Sequence, residues 1–151
     1  MTLKTRKKEK KMRMGKLTNR LYNDFNLEAL GFDFMGYEFE VKKDLTFHHI
    51  QPRSLGGETK YNNGALLNRD TSHNYIHTIE NVDFKIFIEL SYELRNIHNE
   101  GALTQENLLR IRNLLLFFER KYAHEYTKKG TPIIKEEYVR RRIKLWNVTL
   151  T

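Results

Sequence analysis

Residues 45–77 read LTFHHIQPRSLGGETKYNNGALLNRDTSHNYIH, in which two short apolar runs bracket a polar loop and helical spacing follows. Leu45-Thr46-Phe47 leads as a strand into His48-His49-Ile50 and stops near Pro52, which has no N–H to give to a sheet ladder. Residues 53–64, rich in Gly, Asn and charged side chains, form a loop by composition. Ala65-Leu66-Leu67 can then pair back as a second strand. A helix starts near Asp70 or Thr71, either of which can cap it, and runs through His73 and His77.

Six histidines occur in 151 residues, and four of them fall between positions 48 and 77. On a helix, His73 and His77 stand one turn apart on one face, close enough to share a first-row metal ion. Two ligands are too few for a metal site. His48, at the end of the preceding strand, supplies a third and leaves coordination positions open for water and substrate. His49 then becomes the candidate general base, since a neutral imidazole takes a proton from water near neutral pH. Neighbours on a regular strand point to opposite faces, so His48 and His49 address one site only if the strand ends there. Pro52 and Gly56-Gly57 allow that ending. Taken singly, His-His or a helical His-x-x-x-His is more often surface or packing; the combination is what points to metal chemistry.

Outward from this segment, residues 17–30 place Leu17, Leu21, Phe25, Leu27 and Leu30 near helical spacing, with a stop at Gly31. Phe32, Phe34, Tyr37, Phe39 and Val41 then alternate with period two, which predicts one or two strands. Residues 82–98 put Ile86, Leu90, Leu94 and Ile97 on one stripe, with Asn81 as cap and Gly101 as stop. Thr104 opens a longer helix, to about residue 127, on Leu108, Ile111, Leu115, Phe118 and Tyr122. Leu109, Leu116 and Phe117 widen that stripe and predict burial on more than one side. A last helix over 135–146 carries Tyr138, Val139, Ile143 and Trp146 beside Arg140, Arg141 and Arg142. The wide helical pair serves either core packing within one chain or a homodimer interface.

The length predicts a single domain with its own core. Absence of cysteine excludes disulfides, a thiolate nucleophile and thiolate zinc sites. With a mean hydropathy of −0.70 and no long apolar run, the expectation is a soluble, cytoplasmic protein without membrane span or signal peptide. The net charge of +8 is concentrated in residues 1–16, where eight bases face Glu9 alone. That segment is expected to be a disordered tail ahead of one domain at 17–151. It serves either as a solvated tail or to strengthen nucleic-acid binding through counterion release.

The order His-His at a strand end, x-x-Pro, Gly-Gly, Asn before an apolar strand, then helical His-x-x-x-His resembles the ββα-metal motif of HNH endonucleases over roughly residues 45–80. More weakly, GFDFMGYEF and the helices after residue 80 are similar to small HNH proteins of bacterial and phage genomes. The resemblance implies an α+β fold: a ββα-metal core at 45–80, flanking N-terminal strands and a C-terminal helical bundle over 81–147. It implies metal ligation by His48, His73 and His77, general-base action by His49, and Asn63, with Asn62 as the competing alignment, holding the base histidine through the loop. The implied activity is hydrolysis of DNA phosphodiesters to 5′-phosphate and 3′-hydroxyl ends with one divalent ion, Mg, Mn, Zn or Ni. Arg53 and Lys60 beside the loop, and Arg140, Arg141 and Arg142, are candidate phosphate contacts. Two departures stand out: His73 stands ten positions after Asn63 where many members have nine, and no Cys-x-x-Cys knuckles brace the motif. The rival readings are a non-catalytic DNA-binding or regulatory module on the same fold, and a nuclease acting on RNA or as a toxin with an immunity partner.

Overall fold

The computed structural model describes residues 2–144, without the side chains of Leu3 and residues 6–12. Strands β1 (Leu45–His49) and β2 (Gly64–Asn68) pair antiparallel, with His48 opposite Ala65 and His49 opposite Gly64. Side chains on a strand alternate in direction. Thr46 and His48 therefore face helix α3 (Ser72–Val82), while Leu45, Phe47 and His49 face the other way, Phe47 towards α1 (Leu3–Asp24). The contact with α1 is close. A Cβ at Gly64 would collide with the Phe47 ring and lie 2.9 Å from a Leu21 methyl carbon, so only glycine fits there.

Behind α3 lie α4 (Phe84–Glu100) and α5 (Gln105–Tyr122), each opened by the cap chemistry its sequence supplies. Asp83 accepts from Ile86 N at 3.3 Å and Thr104 from Asn107 N at 3.2 Å. Gly101, at φ +73°, closes α4 in the left-handed conformation that suits glycine. Ile86, Phe87, Leu90, Leu94 and Ile97 of α4 and Leu108, Ile111, Leu115 and Phe118 of α5 join Leu21, Phe25, Phe34, Tyr37, Leu66, Tyr75 and Ile76 in one buried core. The C-terminal segment, with short helix α6 (Glu137–Arg140), is tied down by a bidentate pair of Arg142 with Glu119, at 2.8 and 2.9 Å. Tyr138 stacks on Tyr75 at 4.7 Å.

Several expectations change. Residues 3–16 are helical rather than disordered: Lys, Arg, Met and Glu are good helix formers, Thr2 caps the first turn by accepting from Thr5 N, and the segment continues the helix that Leu21 anchors. That helix stops at Asp24, and a separate turn, α2 (Leu27–Leu30), ends at Gly31. The alternation over 32–41 yields isolated bridges, Phe32 with Glu38 and Tyr37 with Arg142, in place of the flanking strands. A turn through Gly36, at φ +82°, folds the segment back on itself before a ladder can extend. The cap of α4 is Asp83 rather than Asn81. α5 ends at Tyr122, short of residue 127, and Phe117 on its widened stripe is 57% exposed. The last helix is a single turn, and Trp146 lies outside the described residues.

Asp33 organises this arrangement. Its fully buried carboxylate accepts from Met35 N (2.9 Å) and Tyr37 N (3.0 Å) on one oxygen, and from Asn68 N (2.8 Å) and Ser72 Oγ (2.5 Å) on the other. The turn, the end of β2 and the first residue of α3 thus meet at one group. Burial pushes its pKa up to about 6 against those hydrogen bonds. The folded state therefore keeps a proton that the unfolded chain releases between about pH 4 and 6, and this group's contribution to stability falls as pH rises through that window. Asp33→Asn would set an amide N–H against Asn68 N–H. It should lower the urea-unfolding free energy by about 1–3 kcal/mol at pH 4, and the gap to wild type should narrow on going to pH 6. A gap that widens instead would place the Asp33 carboxyl below its ordinary range.

Candidate metal centre

His48 extends from β1 onto the first two turns of α3, where His73 and His77 share a face. The ring centroids are 5.2 Å apart for His48 and His73, 5.4 Å for His48 and His77, and 4.9 Å for His73 and His77. One ligand nitrogen from each ring lies within 4.8 Å of the other two. Bonds of about 2.1 Å to one ion hold ligand nitrogens at most about 4.2 Å apart, so an ion bound here would draw any wider pair together.

The three rings are partnered unequally. Thr46 Oγ1 lies 2.5 Å from His73 Nδ1, and Glu80 Oε1 lies 3.0 Å from His77 Nδ1. Both contacts fix ring orientation and leave Nε2 to face an ion, as outer partners of ligating histidines commonly do. His48 is 2% exposed, and neither of its ring nitrogens has a hydrogen-bond partner. A buried nitrogen left so costs about 1–3 kcal/mol unless something coordinates it, and one divalent ion at the centre of the triad fits that need. Burial first, then the neighbouring imidazoles, hold His48 well below the ordinary histidine range, and the same causes bring His73 down to about 4. At neutral pH both rings are uncharged and offer lone pairs with no proton to displace.

His49 lies across the strand from His48. Its ring meets Phe47 edge-on at 5.0 Å, and its Nε2 is 2.8 Å from Thr59 Oγ1. Because β1 ends at His49 and the sheet has two strands among the described residues, rings from both faces reach one opening. A cavity of about 380 Å³ is lined by His48, His49, His73 and His77 together with Met14, Arg53 and Glu80. The loop that follows is held by Asn63, which is 7% exposed. Its Nδ2 donates to Gln51 O (3.1 Å) and Glu58 O (2.8 Å), and its Oδ1 accepts from Gln51 N (2.8 Å). Asn63 thus braces the backbone two residues past His49, while Thr59 meets the ring itself. Gly57 completes the fold of the loop: a Cβ there would collide with the Gln51 carbonyl.

Among the expected phosphate contacts, only Arg53 lines the histidine cavity. Lys60 is exposed and pairs with Glu58 at 2.7 Å. Arg140 and Arg141 lie 3.6 Å from Glu136 and 3.9 Å from Glu40, and Arg142 is committed to Glu119. Of the cluster, Arg142 alone is taken up by the fold, and Arg140 remains exposed and Arg141 partly exposed. Thr46, Thr59, Glu80 and Asp33 escaped the sequence reading. Thr46 stands two residues from His48 on a strand and Glu80 three from His77 on a helix, so periodicity carried a signal for both; for Thr59 and Asp33 no spacing does.

Two antiparallel strands, a looped connection and a helix bring three imidazoles around a point in a ββα arrangement that could hold a metal ion. A model of the HNH endonuclease family matches residues 36–70, which bears out the resemblance over the turn, β1, the loop and β2. Comparison with curated proteins and with solved structures gave no match. The match ends before His73 and His77, so their part in the triad rests on the geometry alone. Among the described residues no helix is long and apolar enough to cross a membrane.

Removal of the Glu80 carboxylate tests the triad without touching a ligand. Glu80→Ala should bind zinc or manganese with one ion per chain but about 10–100-fold more weakly, read by titration calorimetry. Undiminished affinity would show that His77 needs no orienting carboxylate.

Proposed function

We propose that this protein is a metal-dependent endonuclease that hydrolyses DNA phosphodiester bonds within the cell, with His48, His73 and His77 as metal ligands and His49 as general base. The observation that carries this reading is His48, buried with both nitrogens unpartnered between two oriented imidazoles, in a cavity that His49 also lines. A purely structural metal site has no use for that fourth imidazole.

A divalent ion held by the triad supplies Lewis-acid stabilisation for negative charge developing on the phosphate oxygens. Three imidazoles favour zinc, nickel or manganese over magnesium on ligand softness. His49 takes the proton from a water aimed in line at phosphorus, its ring held by the Thr59 hydroxyl and its backbone by the loop that Asn63 ties. Arg53 at the rim of the cavity attracts the phosphate and leaves the bond to be broken over the histidines. The products expected are a 5′-phosphate and a 3′-hydroxyl. One such centre cuts one strand at a time, so a double-strand break requires a second copy or a second visit.

Plasmid nicking with and without EDTA, wild type beside His49→Ala, tests this directly. The variant should keep its metal content and lose about 10²–10⁴ in rate, and EDTA should stop the wild type. Cleavage by His49→Ala at the wild-type rate would remove His49 from the chemistry. A wild type that binds the plasmid but never nicks it, whatever the ion, would leave a binding module on a nuclease fold.

A further inference from the structure

The basic residues at the start of the chain are part of the same helix that walls the histidine cavity. α1 runs unbroken from Leu3 to Asp24. Its second half is locked to the body. Leu21 is fully buried and Phe25 lies just beyond the helix in the core, the Arg20 guanidinium sits 4.2 Å over the Tyr61 ring, and Tyr61 Oη donates to Asp24 at 2.7 Å. Lys42 reaches across to Asn19. Met14, nearer the basic half, lines the cavity beside His48, His49, His73 and His77.

Helical periodicity connects the two halves. Positions 21, 17, 14, 10, 7 and 3 recur at alternating steps of four and three, one stripe along the helix. In the anchored half that stripe reads Leu21, Leu17 and Met14; beyond Met14 it continues with Lys10 and Lys7. At 1.5 Å per residue these two positions lie about 6 and about 10 Å past Met14 along the axis, a spacing on the scale of successive phosphates of one strand. The remainder of the chain is nearly charge-balanced, this is the longest basic stretch of the sequence, and it is attached to the cavity by a rod.

We infer that the basic half of α1 is a rigid docking rail for the sugar–phosphate backbone of a nucleic-acid duplex, which it grips to one side of the cut. It acts through the fixed direction of the helix as well as through its charge. The identity of the partner rests on the nuclease reading; the rigidity does not. A flexible polycation would attract phosphate equally well in any register, whereas a rail loses its grip when the helix is broken between arm and body.

Gly15 sits at that junction, and a Cβ there meets nothing within 4 Å. Gly15→Ala therefore stiffens the helix without a clash, and Gly15→Pro breaks it. In the full-length protein, with EDTA present so that no hydrolysis intervenes, affinity for a short fluorescent DNA duplex is read by anisotropy. The rail predicts Gly15→Pro weaker by about fivefold or more, and Gly15→Ala equal to wild type or up to about threefold tighter. Three equal affinities overturn it. A second pair holds the charge constant: Lys7→Ala with Lys10→Ala should reduce the slope of log affinity against log salt by nearly 2, and Lys4→Ala with Lys8→Ala, off the stripe, by clearly less. Equal losses from the two pairs make the arm a simple polyelectrolyte and overturn the rail. Failure of metal-dependent nicking would leave this order of affinities in place, and failure of the order would leave the His49 chemistry untouched, so the two readings fall separately.

Discussion

A single buried carboxylate decides where the helix that carries His73 and His77 begins. Asp33 gathers two amides of its own turn, the amide of Asn68 at the end of β2 and the hydroxyl of Ser72 at the first residue of α3. Ser72 immediately precedes His73. The same contact that satisfies a desolvated acid therefore sets the rotation of α3 about its axis, and with it the direction of two imidazoles one turn apart. Buried polar networks of this kind hold a unique arrangement because any shift leaves a group unpaired in a medium of low dielectric.

The triad itself is built from opposite economies. Two of its rings are steadied by Thr46 and Glu80, and the third is sealed from water with nothing to bond. A protein core seldom leaves a nitrogen in that condition. His49 escapes the same burial because its strand ends under it, and the loop beyond is closed on Asn63 and on a glycine whose backbone lies against Gln51. His48 and His49 thus reach one cavity from opposite faces of one strand, brought together by where the strand stops.

Much of this was legible beforehand. The paired strands over 45–49 and 64–68, the helix over 72–82 and the four converging imidazoles follow from spacing that tertiary packing had no reason to override. The alternation of Phe32, Phe34, Tyr37 and Phe39 did not survive: period two describes both a strand and a tight turn that buries rings from both arms, and the Asp33–Gly36 turn won. Residues 3–16 misled in the other direction, because a dense run of like charge argues for disorder while its many Lys, Arg and Met residues favour a helix that an anchored segment can extend. Of Arg140–Arg142, read as a surface patch, Arg142 ties the C-terminal segment to Glu119 while Arg140 stays exposed and Arg141 partly exposed. Asp33 and Thr59 were invisible, since a polar residue in a loop shows its partners only once the chain has folded.

The chain contains no cysteine, and a continuous apolar core reaching from Leu21 to Tyr138 stands where zinc knuckles would otherwise brace such a motif. The core therefore holds the elements together without an ion as a cross-link, while an ion taken up by His48 would add to the stability of the fold. Chelation of a metal-loaded molecule should then lower its melting temperature without abolishing the fold.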